Sequence, residues 1–478
     1  MFVGRERDIR DLSALWGRDT GVLVTCRGRR RIGKSTLIEE FAAREADAFI
    51  SIDGVAPRKG IGDVDQRRHF SEKISQYSES PIQIAANWLE AFAQLDAIIP
   101  KAGKTVVLLD EISWMAGYFA DFPGYFKEAW DKQLRKHANL IFVLCGSVSA
   151  WIVENILNST GFVGRDSLDL DLQELTPSES VKLLGPAGER MSVRERLDIL
   201  SVTGGVPKYL EEVRPEISVD ENVRRMCFMS RGLLFREFDD VFNGVFGRKS
   251  KTRGRILGML KDGPMSAAEL ARCDGKMPNG SYAKTLADLE LAGFVAGDGG
   301  LSPITGEPLR EERFRIKDNY TRFYLHYIEP RRKAVERMLF DFSSLEQLHG
   351  LDAMFGYQFE NLVLNHVQLL YPLLGLEQSL VLSAAPYVQR ETRAHKGCQI
   401  DLLIQTQRLL MVVEIKRRRE IGYAIVDEVA EKVRRLRRRR DLSVRTALVY
   451  EGELAKTILA DRYFDFIVPA EKLLGCMA

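Results

Sequence analysis

Residues Gly28 to Ser35 read GRRRIGKS, and they stand between an apolar run, GVLVTC, and a helix-like stretch, STLIEEFAARE. No other feature restricts the fold as much, because Gly-x4-Gly-Lys-Ser works where a strand delivers the chain directly into a helix. The glycines let backbone N–H groups curl around a phosphate, and the helix N-terminus adds its positive end. Lys34 then reaches the β- and γ-phosphate oxygens, and Ser35 can ligate Mg²⁺. Gly28, Arg31, Ile32, Gly33, Lys34, Ser35 and Thr36 are therefore the expected nucleotide-binding set, with ATP and Mg²⁺ as cofactors.

The surrounding pattern agrees. From Gly21 to Gly146, strand-length apolar runs alternate with helix-length segments, which argues for a parallel, doubly wound α/β sheet. Such sheets bind ligands at the carboxyl ends of their strands. One run, TVVLLDEISWM, ends in Asp110-Glu111. There an aspartate can hold Mg²⁺ and a glutamate can orient and deprotonate an attacking water, although acidic pairs after strands are also common turns. The next run, LIFVLCGSVSAW, places Ser147 where a hydroxyl could meet the γ-phosphate.

At 478 residues the chain exceeds one hydrophobic core, so several domains are expected. No apolar run reaches the roughly 18 residues of a membrane span, and the N-terminus lacks a signal segment, which makes a cytoplasmic protein with no membrane contact the expectation. The six cysteines form no C-x-x-C pair and are expected as buried free thiols rather than disulfides or zinc ligands. Net charge is +2, yet Glu391 to Arg440 holds fourteen Lys/Arg against seven Asp/Glu, which points to an anionic partner for the C-terminal part.

FVGRERDIRDL, the phosphate loop, LLDEISWM, LCGSVSAW, GFVGRDSL and TGGVPKYL, in that order, resemble the archaeal-type ATPases of the AAA+ superfamily, near its signal-transducing STAND branch. The resemblance covers about the first half of the chain. It implies adenine packing near Val3, Gly4 and Arg5, and a helical lid bearing Gly205-x-Pro207. It also implies a homo-oligomer in which Arg165 approaches the γ-phosphate of its own or a neighbouring subunit, unless Arg165 is only a surface ion-pair residue.

Beyond the lid, TRGRILGMLKDG, MSAAELARCDG and GSYAKTLADLELAGFV read as three short helices, followed by a Gly-rich hairpin returning through ERFRIKD, the pattern of a winged helix. Its third helix presents Ser281, Tyr282, Lys284 and Asp288 outward and Ala283, Leu286, Leu289 and Leu291 inward. That is a poor base-reading face. In the ATPases resembled here such a unit acts as a structural or docking element.

In the last part, GCQIDLLIQTQRLLMVVEIK reads as a hairpin turning at Gln407-Arg408. Opposed residue numbers then sum to 815, which sets Asp401 across from Glu414 at about 5 Å between Cβ atoms. Lys416 points to the same face about 6.6 Å along. Crowded carboxylates are costly unless a cation joins them, and Mg²⁺ or Mn²⁺ suits oxygen ligands with free water positions. The alternative is a solvated acidic pair at a sheet edge.

GYQFENLV, QIDLL and VEIK resemble the PD-(D/E)XK nuclease superfamily. The resemblance implies Glu360, Asp401, Glu414 and Lys416 as catalytic residues, Asp401 and Glu414 as metal ligands, and Glu428 or Lys432 as a further polar group. Ile400 stands where the superfamily has proline, a tolerated departure. Arg417–Arg419 and a helix ending at Arg440 are expected to neutralise a phosphate backbone, giving sequence-poor binding. No aromatic ladder marks single strands, so duplex DNA is the expected partner.

The expected fold is thus an α/β multidomain chain: an ATPase core at 1–165, a helical lid at 166–243, a winged helix at 244–318, a helical connector at 319–350 and a mixed α/β, restriction-endonuclease-like domain at 351–478. The expected activity is ATP binding and hydrolysis, with Glu111 and Arg165 acting in it, coupled to metal-dependent DNA cleavage. The alternative is an ATP-gated switch whose last domain binds without cutting.

Overall fold

A computed structural model describes residues 2–475 except 57, 59, 79–82, 148, 248–249, 276–279 and 394. The apolar runs of the first half form five parallel strands. These are β1 (Val22–Gly28), β2 (Ala48–Asp53), β3 (Thr105–Asp110), β4 (Leu140–Gly146) and β5 (Asp166–Leu172), in the order β2-β3-β4-β1-β5. Parallel strands covered on both faces read as unbroken apolar runs. Alternate residues feed two cores, Leu23, Val107 and Phe142 on one face and Val24, Leu108 and Val143 on the other. The first is rich in edge-to-face aromatics, with the Trp88 and Phe122 rings 4.7 Å apart.

The chain divides into compact units at Glu174/Leu175, so the first extends past the expected limit at 165. The cause is β5, whose sequence DSLDLDL does not read as a parallel strand. It lies at the sheet edge, and its acids are matched by the neighbouring strand: Asp169 accepts from Thr25 Oγ1 at 2.7 Å and from Arg27, and Asp171 lies 3.2 Å from Arg27.

The second unit begins with short helices that carry their own caps. Before Val193–Thr203, Ser192 Oγ accepts from the Glu195 amide while Glu195 reaches back to the Ser192 amide. Gly204 and Gly205 follow, and a Cβ on Gly205 would meet the Leu175 carbonyl at 2.2 Å. Helices Ser250–Leu260, Ala267–Cys273 and Gly280–Leu291 then pack with an antiparallel sheet of β6 (Met265–Ser266), β7 (Val295–Asp298) and β8 (Arg313–Ile316), ordered β6-β8-β7. In Gly280–Leu291, Tyr282 is buried and Ala283 exposed, the reverse of the expected faces. The long phenol reaches the core from a position the methyl group cannot use.

A mixed sheet closes the chain: β9 (Ser383–Gln389), β10 (Cys398–Gln405), β11 (Leu409–Ile421), β12 (Ser443–Leu454) and β13 (Phe466–Pro469), ordered β13-β12-β11-β10-β9. β9, β10 and β11 pair antiparallel, and β11, β12 and β13 pair parallel. The β11-to-β12 crossover contains helix Ala424–Arg435, which buries Ile425, Val426 and Val429. It stops short of the expected Arg440 because Leu436 turns extended and packs inward, leaving Arg437–Arg440 in a loop.

The segments from 175 onward share one large core, and the last sheet adds a second one around Ile400, Val412, Val429 and Phe464. One hydrophobic cluster runs from Leu175 through Leu257, Phe323 and Phe359 to Leu474. Among the described residues no helix is long and apolar enough to cross a membrane. Cys26, Cys145 and Cys227 are buried free thiols, whereas Cys273 is exposed and Cys398 half-buried; Cys476 lies outside the described residues. The exposed Cys273 departs from the expected buried class because it ends a short helix whose buried side is formed by Leu270 and Ala271.

Candidate active sites

The phosphate loop is shaped by three left-handed residues: Gly28 (φ 137°), Arg31 (φ 72°) and Gly33 (φ 88°). At Gly28 only hydrogen fits, since a Cβ would stand 2.5 Å from the Leu172 carbonyl. Its amide donates to Ser149 Oγ at 3.2 Å, a support with no local sequence signal. Ile32 is buried, Thr36 is exposed on the first helical turn, and Lys34 folds over the loop, its ammonium 3.0 and 3.1 Å from the Gly28 and Arg29 carbonyls. The segment of Val3, Gly4 and Arg5 lies alongside, with Arg5 donating to the carbonyls of Ile32 at 3.3 Å and Gln173 at 2.5 Å.

Ser35 Oγ donates to Asp110 Oδ2 at 2.5 Å, so the two oxygens expected around a divalent cation already face each other. That donor pair fits Mg²⁺, which takes few protein oxygens and keeps several waters. Glu111 sits in the left-handed region (φ 48°) and is held by Ser147, whose hydroxyl donates to Glu111 Oε2 at 2.8 Å and whose amide does so at 3.2 Å. The Ser147 hydroxyl is thus turned to Glu111 in this structure.

Arg165 is engaged elsewhere. Its Nε and Nη2 donate to the two Asp131 oxygens at 2.7 and 2.9 Å, and this guanidinium, ahead of the cost of burial, holds the Asp131 carboxyl down at about 2. A bidentate pair is rigid, and within the single chain it holds Arg165 on Asp131, the ion-pair alternative set out for this residue. Pro207 opens helix Pro207–Leu210 in the second unit.

The second cluster is built on the β10–β11 hairpin. Leu402 pairs with Val413 and Gln405 with Leu410, the register in which Asp401 and Glu414 are the next opposed residues. Asp401 Oδ2 accepts from the Ile415 amide at 2.9 Å. Glu414 is fully buried and holds two ammoniums: Lys416 Nζ at 2.6 Å, and Lys432 Nζ at 2.8 and 2.7 Å from its two oxygens. Burial alone would lower both lysines, but the carboxylates outweigh it and hold them raised. Glu428 lies 3.4 Å from Lys416 and 3.2 Å from Lys432.

Glu360, on helix Leu351–Asn365, shares with Asp401 and Lys416 a groove of about 680 Å³. Burial, and then the Asp401 charge, push its carboxyl up to about 7. Carboxylates crowded in this way are relieved by a cation. Among the described residues no three His, Cys, Asp or Glu side chains stand ready as a metal cluster. Two opposed carboxylates still suit Mg²⁺, which one or two carboxylates and waters suffice to bind.

The basic flank divides. Arg417 is not part of an exposed rail: its side chain is 4% exposed, pairs with Asp198 and with Glu451 at 3.2 Å, and donates to Ser201 Oγ at 3.2 Å. The strand alternation that aims Lys416 at Glu414 turns Arg417 inward, onto helix Val193–Thr203. Arg418, Arg419, Arg437, Arg438 and Arg440 are exposed.

Residues 2–213 match the family profile of an ATPase domain found predominantly in Archaea. The match takes in the whole first unit, a P-loop ATPase domain, and runs on through residue 213 of the second. The chain is similar to the uncharacterized protein MJECL04 of Methanocaldococcus jannaschii, at 23% identity over 366 residues, spanning 75% of this chain and 76% of that protein. In fold it is similar to the Walker-type ATPase PABY2304 of Pyrococcus abyssi, with a TM-score of 0.52 at 17% identity, covering 68% of this chain and 96% of that one. The mixed sheet of the second unit is a separate sheet, sharing no strand with the five parallel ones.

Proposed function

We propose that the chain binds and hydrolyses ATP in its ATPase domain and couples nucleotide state to binding and metal-dependent cleavage of DNA by its C-terminal sheet. In the ATPase domain Lys34 leaves the loop carbonyls to meet the β/γ-phosphates, and Glu111, aimed by Ser147, orients and deprotonates the attacking water. Ser35 and Asp110 would hold Mg²⁺, which supplies neutralisation of the phosphate charge.

In the second unit, residues 244–318 form a winged helix in this reading, and the sheet with helix Leu351–Asn365 is a PD-(D/E)XK-like domain. The observation that carries it is the hairpin register opposing Asp401 to Glu414, with Lys416 on the same face. Asp401 and Glu414 would hold Mg²⁺ or Mn²⁺, which supplies Lewis-acid activation of the scissile phosphate. Lys416 positions the water or steadies the developing charge, and Glu360 draws a proton from the groove. The exposed arginines neutralise backbone phosphates. The test is cleavage of plasmid, linear and branched DNA with Mg²⁺ or Mn²⁺, with and without ATP. Glu414→Ala and Lys416→Ala are expected to abolish cutting, and undiminished cutting by both overturns the reading.

One observation favours a second reading, a nucleotide-gated switch that binds DNA without cutting. Both Glu414 oxygens are held by lysine ammoniums, which already compensate the charge that a metal cation would meet. DNA binding with no cleavage under either metal supports that reading.

A further inference from the structure

A cavity of about 830 Å³ lies between the β7–β8 hairpin, helix Leu351–Asn365 and strands β9 and β10, and it borders the groove of Asp401 and Lys416 through Tyr357 and Glu360. Its volume is that of an ordinary small-ligand site. Most arginines around it are already matched. Arg315 donates to Asp298 at 2.9 Å and to Asn365 at 2.9 Å, Arg313 lies 3.2 Å from Glu269, and Arg390 pairs with Glu311.

Arg322 differs. It lines the cavity at 3% exposure, donates through Nη2 to the Ile316 carbonyl at 3.3 Å, and has no hydrogen-bond partner for Nε among the described residues. Burial, and then the nearby Arg315 charge, push it down to about 10, a sign that the cation is poorly compensated. Glu360, whose carboxyl is held up near 7, is only a partial counter-charge. A buried guanidinium short of counter-charge is costly, and a phosphate answers its planar fork better than any neutral ligand. Tyr357 has its ring 5.7 Å from the Arg322 guanidinium and is 47% exposed, and an exposed ring of this kind can stack on a base.

We propose that this cavity is a recognition subsite for a phosphorylated nucleotide, with Arg322 on a terminal phosphate and the Tyr357 ring against the base. The buried position of Arg322 favours an inserted end over a strand passing by. The same chemistry is carried by a free nucleoside monophosphate and by a 5′-phosphorylated strand end. The proposal rests on the DNA reading above only for the second source.

The test uses the full chain carrying Lys34→Ala, which removes nucleotide binding at the phosphate loop, in EDTA, which prevents cutting. Anisotropy is read for a labelled oligonucleotide bearing a 5′-phosphate and for the same strand with a 5′-hydroxyl. The phosphate is expected to improve affinity about tenfold, the increment of a charge-assisted pair. Arg322→Met is expected to erase that increment, and Arg322→Lys to restore part of it. Tyr357→Ala, at an exposed position that does not threaten folding, weakens binding of both strands. Displacement by nucleoside monophosphate assigns the site to free nucleotide, and discrimination without displacement assigns it to strand ends. Equal affinity for the two strands, or full discrimination in a folded Arg322→Met chain, overturns the proposal. A chain that discriminates but never cuts retains this subsite and loses the cleavage reading, and a chain that cuts without discriminating does the opposite.

Discussion

Glu414 and Arg417 stand three positions apart on one strand and meet opposite surroundings, which makes single substitutions informative there. Arg417→Ala leaves Asp198 and Glu451 with only the more distant Arg194 as cation and is expected to cost about 2–4 kcal/mol in denaturant unfolding. Arg418→Ala, at an exposed side chain, is expected within about 0.5 kcal/mol of the parent. Near-equal effects would return Arg417 to the role of a surface phosphate contact. Glu360 makes a pH prediction. Its carboxyl sits at about 7 folded against an ordinary 4.5, so between those values the folded chain holds more proton than the unfolded one. Its contribution is complete below 4.5 and disappears as pH rises through 7, so metal-free protein weakens from pH 5 to 8 and Glu360→Gln flattens that slope by on the order of 1 kcal/mol. Urea midpoints across that range decide it, an unchanged slope refuting the assignment. Lys34 is the plainest case: Lys34→Ala is expected to cut ATP turnover by at least about a hundredfold, through loss of the charge that meets the β/γ oxygens. Turnover close to the parent's would move the nucleotide site elsewhere.

At the scale of elements, what was legible in the sequence followed from short-range periodicity. β1, β3 and β4 announce themselves as apolar runs, and the phosphate loop needs only its neighbours. The β10–β11 register could be read because a tight turn at Gln407-Arg408 fixes every pair that follows it. β5 was hidden because the partners of its aspartates, Thr25 and Arg27, are about 140 residues away. The end of helix Ala424–Arg435 was hidden likewise, since one buried leucine outweighs four helix-favouring arginines. The engagement of Arg165 by Asp131, of Glu111 by Ser147 and of Arg417 by Asp198 depends on the tertiary fold, and no spacing rule reports it. Gly205 gives an element-scale test. A methyl group there would press on the Leu175 carbonyl, and Gly205→Ala is expected to destabilise the second unit by about 2 kcal/mol. A calorimetric endotherm unmoved by that change would mean the turn can open at no cost.

At the scale of the molecule, the unit from Leu175 onward is expected to melt as one cooperative transition despite its several kinds of secondary structure. Removing everything after residue 350 takes away Phe359, Leu402 and Val449 from that shared cluster. The truncated chain is therefore expected to lose the second endotherm and aggregate, whereas an independent C-terminal domain would leave it intact. The same unbroken core bears on how a gene of this kind can be rearranged. A recombination joint between residues 174 and 175 leaves each hydrophobic cluster whole, while a joint at any of the later sequence boundaries splits packed side chains between two parents. Shuffled descendants that keep folding should therefore exchange the phosphate-loop sheet as one cassette and inherit the rest, with residues 175–213 of the family match, as a single block.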